Sequence, residues 1–332
     1  MKHIYLLLLN VLVSILISCD DETKPLIVEK DGWYPLTKEF SSYHLNSVYF
    51  INENTGFIVG ESGLIISTKN SGLTWTKQTS GIVDTLLSVF FINENSGYTV
   101  GYNGVILKTI NGGKTWIKQM SGTTKILQSV YFTDENAGFV VGDAGLILKT
   151  NNGGINWNIQ TSGTTDKINS VGFINSNVGF AVGNNGTILK TTDAGINWEL
   201  KLFSTDKNLC SVCFPVYGIG YAIGIRKEFT DYDIIIKTTD NGVTWNEIAS
   251  DYSYRALYFI DANTGFVVSG YTPTVKAVIN KTTDGGINWT GKRWDVKELF
   301  SIFFVNANVG FAVGYDNETK INILKTKNGG EY

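Results

Sequence analysis

The chain has 332 residues and is short of several residue types, each shortage narrowing what it can be. There are three cysteines and two histidines in all, and Cys19 and His3 lie in the first nineteen residues. That leaves His44, Cys210 and Cys213, too few for a disulfide framework or for a structural zinc site. Cys210 and Cys213 have C-x-x-C spacing but sit in the apolar run Leu209-Cys210-Ser211-Val212-Cys213-Phe214. On a regular strand, residues three apart point to opposite faces and their Cα atoms lie roughly 10 Å apart, beyond disulfide reach. They are expected to be buried free thiols. Arginine is scarcer still, with Arg226, Arg255 and Arg293 alone, and the formal net charge of −3 is spread without blocks. A nucleic-acid partner is therefore not expected. After residue 17 no apolar run is long enough to cross a bilayer as a helix. No metal or cofactor site is expected.

What the chain has in quantity is one short pattern. Thr150-Asn151-Asn152-Gly153-Gly154-Ile155-Asn156-Trp157 recurs at Thr68 to Trp75, Thr109 to Trp116, Thr191 to Trp198, Thr238 to Trp245 and Thr282 to Trp289. A seventh copy starts at Thr326. The tryptophans at 75, 116, 157, 198, 245 and 289 are separated by 41, 41, 41, 47 and 44 residues. A period of roughly 40–45 residues with four short strand-like runs per repeat is the spacing of propeller blades. The shared pattern is Thr-x-[Asn/Asp]-x-Gly-x-[Thr/Asn]-Trp. Its Asn or Asp can bond backbone groups two residues on, and its Gly supplies the positive φ of a tight turn. The Trp then opens the next strand, burying its indole on the neighbouring repeat while its N–H reaches a partner.

This pattern resembles the Asp-box of sialidase-type propellers, where the acid is structural. By that resemblance Asn70, Asn111, Asn152, Asp193, Asp240, Asp284 and Asn328 brace turns, and Trp75, Trp116, Trp157, Trp198, Trp245 and Trp289 staple them. The whole repeat, as in Ser129-Val130-Tyr131-Phe132 followed by Ala137-Gly138-Phe139-Val140-Val141-Gly142, resembles the photosystem II stability/assembly factor family (Asp-box or BNR-repeat propellers). The resemblance spans roughly Trp33 to Tyr332. It implies a non-enzymatic platform that docks a protein partner on one propeller face. In oxygenic phototrophs such proteins use an Arg-rich basic patch, which this chain lacks, so its partner is expected to be another protein of the cell envelope.

Residues 1–18 read as a targeting segment: a basic start at Lys2, an apolar run from Ile4 to Ile17, then Leu16-Ile17-Ser18-Cys19. This resembles a bacterial lipoprotein signal, with cleavage before Cys19 and acylation there, an anchor that needs two or more chains to be stable. Residues 19–29 read as a flexible tether. The acidic Asp20-Asp21-Glu22 resembles the surface-export signal of Bacteroidetes-like lipoproteins, and an Asp beside the cysteine also resembles an inner-membrane retention signal. The expected location is the bacterial cell envelope, at the outer membrane or cell surface, with the membrane met through the lipid anchor only and the protein a monomer.

Residues 30–332 are predicted to form an all-β, seven-bladed β-propeller of four-stranded blades. Inner strands read from Ser47-Val48-Tyr49-Phe50 through Ser301 to Phe304. The seventh unit has only three strands, while Trp33 to Thr37 looks like a fourth strand with nothing before it. The N-terminus is therefore predicted to supply the outer strand of the last blade and close the ring, hiding sheet edges. Pro35 suits an outermost strand, which can lack one donor.

The turn between second and third strands is alike in four blades (Gly60–Thr68, Gly101–Thr109, Gly142–Thr150, Gly183–Thr191) and longer in the last three. Loops carry function more often than scaffolds do, so the candidate binding rim is Arg226, Asp231, Tyr232, Tyr271, Lys276, Tyr315 and Asp316, with Lys227, Glu228 and Glu318 in the same turns. Tyrosine with charges is interface-like composition. The alternative is a glycan-binding or sialidase-like glycoside hydrolase propeller. It would need convergent arginines or a carboxylate pair such as Asp143 and Asp316 about 5–10 Å apart. No catalytic residue is expected.

Overall fold

A computed structural model describes residues 32–203, 205–227, 232–251, 254–270 and 276–331. The signal segment and tether expected over residues 1–29 lie outside them. The chain forms seven four-stranded antiparallel sheets. In six blades the strands pair in chain order, inner to outer, as in blade one: Leu45–Phe50, Gly56–Gly60, Ile65–Thr68, Thr76–Gln78. The seventh is completed from the other end of the chain. Its outer strand is Trp33–Pro35, with Trp33 opposite Thr326 and Pro35 opposite Leu324. The predicted closure is what forms, three residues long and extended by Leu36 N–H donating to Ile323 O at 3.1 Å.

Burial follows position in the blade. The second strands, such as Gly138–Gly142, are buried throughout except at the strand ends in blades five and seven, because each lies between two other sheets. The inner strands alternate, since one side faces the central channel, and the outer strands are largely exposed apart from Trp33–Pro35, whose Trp33 and Tyr34 are buried. Every inner strand carries a bulge near its start, as between Leu127 and Ser129. The extra residue shifts the alternation, so Cys210 and Cys213 both pack toward blade six. They do not point to opposite faces as regular pleating predicts. They are free thiols nonetheless, and burial pushes each thiol up to about 12.

Seams between blades are built from one aromatic set, repeated. Phe57 of blade one stacks on Phe91 of blade two at 4.0 Å, and Trp116 stands edge-on to both. The same set is Phe139, Phe173 and Trp198 at the next-but-one seam, and Phe266, Phe304 and Trp33 where the ring closes. Gly113 of the box has φ +79° and a Cβ there would lie 2.5 Å from the Phe57 ring, so both turn and seam require glycine. The indole N–H expected to find a partner does so only at Trp289, which donates to Gly286 O at 3.0 Å. At Trp33, Trp75, Trp116, Trp157, Trp198 and Trp245 it is buried without one. Edge-to-face packing, not a hydrogen bond, sets the indole's place.

The boxes are braced as their residue types require. Thr68 Oγ1 accepts from Gly72 N–H at 2.9 Å, and Asn70 Oδ1 accepts from Thr74 N–H at 2.9 Å. Asn70 Nδ2 then donates to Thr74 Oγ1 at 2.8 Å. In Asp boxes the polarity reverses: Asp193 Oδ2 accepts from Asn197 Nδ2 at 2.7 Å. Asparagine and aspartate thus serve alike, because the residue four positions on can donate or accept to match. A third-strand lysine also latches neighbouring blades. Lys108 Nζ donates to Gly153 O at 2.6 Å, Lys190 to Asn241 O at 2.7 Å, and Lys325 to Ser71 O at 2.6 Å.

Candidate binding rim

Two sets of connections share one face of the ring. In blade one the turn Glu61–Gly63 follows the second strand, and Glu61 N–H donates to His44 O just before the inner strand. Tyr102 to Thr85, Asp143 to Ile126 and Asn184 to Lys167 repeat this bond. The opposite face carries the boxes, tied to the first turns by bonds such as Ser71 N–H to Asn54 O and Gly153 N–H to Asn136 O.

The long turns rise from the first face. In blade five the second and third strands are Ile219–Ile225 and Asp233–Thr238. Asp233 is buried at the stem, with Oδ1 accepting from Arg226 N–H at 2.8 Å and Oδ2 from Tyr254 N–H at 2.6 Å. This pins Arg226, half-buried, at the base of the turn. Lys227 reaches back to Asn185 Oδ1 of blade four at 2.6 Å, and Tyr232 is 46% exposed. Asp231, Glu228 and Tyr271 lie outside the described residues. Lys276 of blade six is exposed and ion-paired with Asp295. In blade seven Asp316 is only 2% exposed. Its Oδ1 accepts from Glu318 and Thr319 N–H and its Oδ2 lies 2.6 Å from Thr319 Oγ1. The carboxylate is consumed in shaping its own turn, so it cannot pair with Asp143 across a glycosidic bond.

Tyr315 joins a group that sequence reasoning did not assemble. His44 stacks on Tyr315 at 3.7 Å and on Phe300 at 5.8 Å, and its Nε2 lies 3.9 Å from Glu61 Oε1. These residues line the seam between blades seven and one. The signal was available: His44 immediately precedes an inner strand, as Thr85, Ile126 and Lys167 do, so it had to lie on the rim. Inside the channel, Tyr258, Phe303, Tyr49, Phe90 and Tyr131 form a chain of tilted rings 4.9–5.3 Å apart. Burial pushes Tyr49 and Tyr258 up to about 12, so both stay neutral phenols.

The arginines do not converge. Arg255 lies on the inner strand Tyr254–Phe259 and Arg293 ends the outer strand Thr290–Arg293 of the same blade. Three strand spacings separate those positions, roughly 14 Å. Among the described residues no group of His, Cys, Asp and Glu is arranged to hold a metal ion.

A closed seven-bladed ring of Asp-box repeats, with its elaborated turns on one face, defines the class as a BNR-type β-propeller. The model of the family described as photosynthesis system II assembly factor YCF48 matches residues 28–120, 78–159 and 118–253. The chain belongs to that family. No curated protein sequence matches it. Among solved structures it is similar to one described as YCF48 bound to D1 peptide, with a TM-score of 0.72 and 19% identity, covering 90% of this chain and 98% of that one. YCF48 from Cyanidioschyzon merolae gives 0.69 and 19%, with 89% and 98% covered. A GH74 xyloglucanase from Xanthomonas campestris gives 0.71 at 10% identity, covering 90% of this chain and 54% of that one. At these identities the likenesses establish the fold.

Proposed function

We propose that the protein is a non-enzymatic binding platform that docks a protein partner on the rim formed by blades five to seven. The observation that carries this reading is the placement of all three lengthened turns on one face, in adjacent blades, on a scaffold otherwise uniform. Tyr232, Lys276, Lys227 and the Tyr315–His44 stack are the contact groups, mixing aromatic area with charge as interfaces do. Arg226 and Asp316 act at one remove, holding the turns in shape. Membership of an assembly-factor family supports the reading, as does a family structure described as bound to a peptide. A hydrolase reading gains nothing from the rim, because Asp316 is buried and the arginines are dispersed.

The same proposal places the chain in a bacterial envelope, anchored through acylated Cys19, with the partner an envelope protein. The test is crosslinking and pull-down of the tagged full-length chain from its own cells, beside a form whose three long turns are replaced by the short Asp143-Ala144-Gly145 type. One envelope protein recovered with the native turns and lost with the short ones is the expected result. The same proteins recovered with both forms would overturn the assignment to the rim.

A further inference from the structure

The box face carries an apolar feature that the docking rim does not explain. The sixth residue of the box is aliphatic and exposed in five blades: Leu73 at 48%, Ile155 at 71%, Ile196 at 66%, Val243 at 71% and Ile287 at 74%. Blades two and seven have Lys114 and Glu331 there. Nothing in the fold requires these side chains to be apolar, since Lys114 and Glu331 occupy the same turn geometry. Equivalent positions in a closed ring lie on one circle, so the five tips reach a flat surface together. Scattered over the ring, they do not make the contiguous patch a protein interface would bury.

The chain's own N-terminal end points to what that surface is. Gly32 lies against the blade-seven box, where an added Cβ would be 2.1 Å from Glu331 O, and Trp33 to Pro35 then run away from the box face toward the rim. Residues 1–31, including the apolar run from Ile4 to Ile17 and Cys19, therefore join the propeller on the box face. Thirteen residues from Cys19 to Gly32 reach at most about 45 Å. Held that close, weak contacts act at high effective concentration, and a few inserted aliphatic side chains are enough to orient a rigid body.

We propose that the box face lies on a lipid bilayer, with Leu73, Ile155, Ile196, Val243 and Ile287 entering its surface, and that the docking rim faces away from the membrane. Glu53, Glu94 and Glu135 share the box face, each held by an asparagine of the preceding blade. The contact is thus apolar and suits a neutral bilayer rather than an anionic one.

The inference rests on the anchoring reading for its tether, and the test separates the two. The full chain is coupled through Cys19 to a maleimide phospholipid in phosphatidylcholine vesicles, which supplies the anchor whether or not cells acylate it. Cys210 and Cys213, which are half-buried, are changed to serine so that Cys19 alone couples. Lysines are then modified by a water-soluble amine reagent and read by mass spectrometry, on and off vesicles. Lys69 and Lys114 on the box face should lose reactivity several-fold on vesicles, while Lys276 and Lys320 on the rim should not change. Equal reactivity at both faces, or protection of the rim, would overturn the orientation. A variant with all five tips changed to serine should stay coupled yet lose the protection; if it keeps it, the tips are not what docks. Whether cell-derived protein carries acyl chains on Cys19 is measured separately by its mass, and a bare Cys19 would sink the anchoring reading alone.

Discussion

Trp33 stands at 90° to Phe304 with ring centroids 5.7 Å apart, although the whole propeller separates them in sequence. Trp33 fills the place that Trp75, Trp116 and their counterparts fill in the other six seams, so the last seam is made from the two ends of the chain.

Ring closure therefore depends on a few residues. Trp33→Ala should cost about 3–5 kcal/mol, as buried aromatic truncations do, and Trp157→Ala the same. Deleting residues 30–40 should lower the melting temperature far more than deleting residues 20–29. Equal melting temperatures for the two deletions would refute a ring closed by the N-terminal strand.

The Asp boxes set an acid limb. Backbone and side-chain donors from Asn197 hold Asp193 at about 2, those from Thr244 hold Asp240 at about 2, and those from Asn288 hold Asp284 at about 2. Their folded values lie below the unfolded carboxylate range, so this stability is present above about pH 4 and lost as pH falls toward 2. The triple variant Asp193→Asn, Asp240→Asn, Asp284→Asn should unfold with a flatter dependence between pH 4 and 2 in denaturant titrations. An unchanged slope would mean these carboxylates do not set the limb.

Lys325 adds a second window of the same sign at alkaline pH. Burial lowers it to about 8, so between pH 8 and about 10.5 the unfolded chain binds the extra proton and stability rises with pH. Tyr49 and Tyr98, pushed up to about 12 by burial, hold protons that the unfolded chain loses above about pH 10, so stability then falls. Urea midpoints from pH 7.5 to 11 should pass through a maximum. Lys325→Met should remove most of the rise; if the rise persists, another group is responsible.

Cys210 and Cys213 should be inert in the folded protein. At pH 8 their thiols, raised to about 12 by burial, carry almost no thiolate. Iodoacetamide should leave both unmodified in native protein and label both in urea, as counted by mass. Native labelling at the rate of a free thiol would show that the strand opens.

How far the sequence could be read is visible at three residues. Trp33 is legible as a blade's outer strand because the 14 residues from it to Ser47 are close to the 13 that separate Trp75 from Ser88. Asp316 was named for the rim from composition and place in a long turn, but whether a turn's carboxylate faces solvent or its own backbone depends on local hydrogen bonds that composition does not express. Cys213 was misplaced because pleating alternates by two only where strands are regular, and the bulge after Leu209 breaks the count.

The repeated box and its period belong to the sequence alone, and they determined the blade count, the four-stranded sheets and the closure. Period and local turn chemistry depend on neighbours in the chain, and the chain states its neighbours outright. The tertiary structure decided which turns share a face, that His44 meets Tyr315, and that Gly32 lies on the face opposite the long turns. Those relations arise only when blades 250 residues apart are brought edge to edge, as Lys325 and Ser71 are, and no local pattern carries that distance.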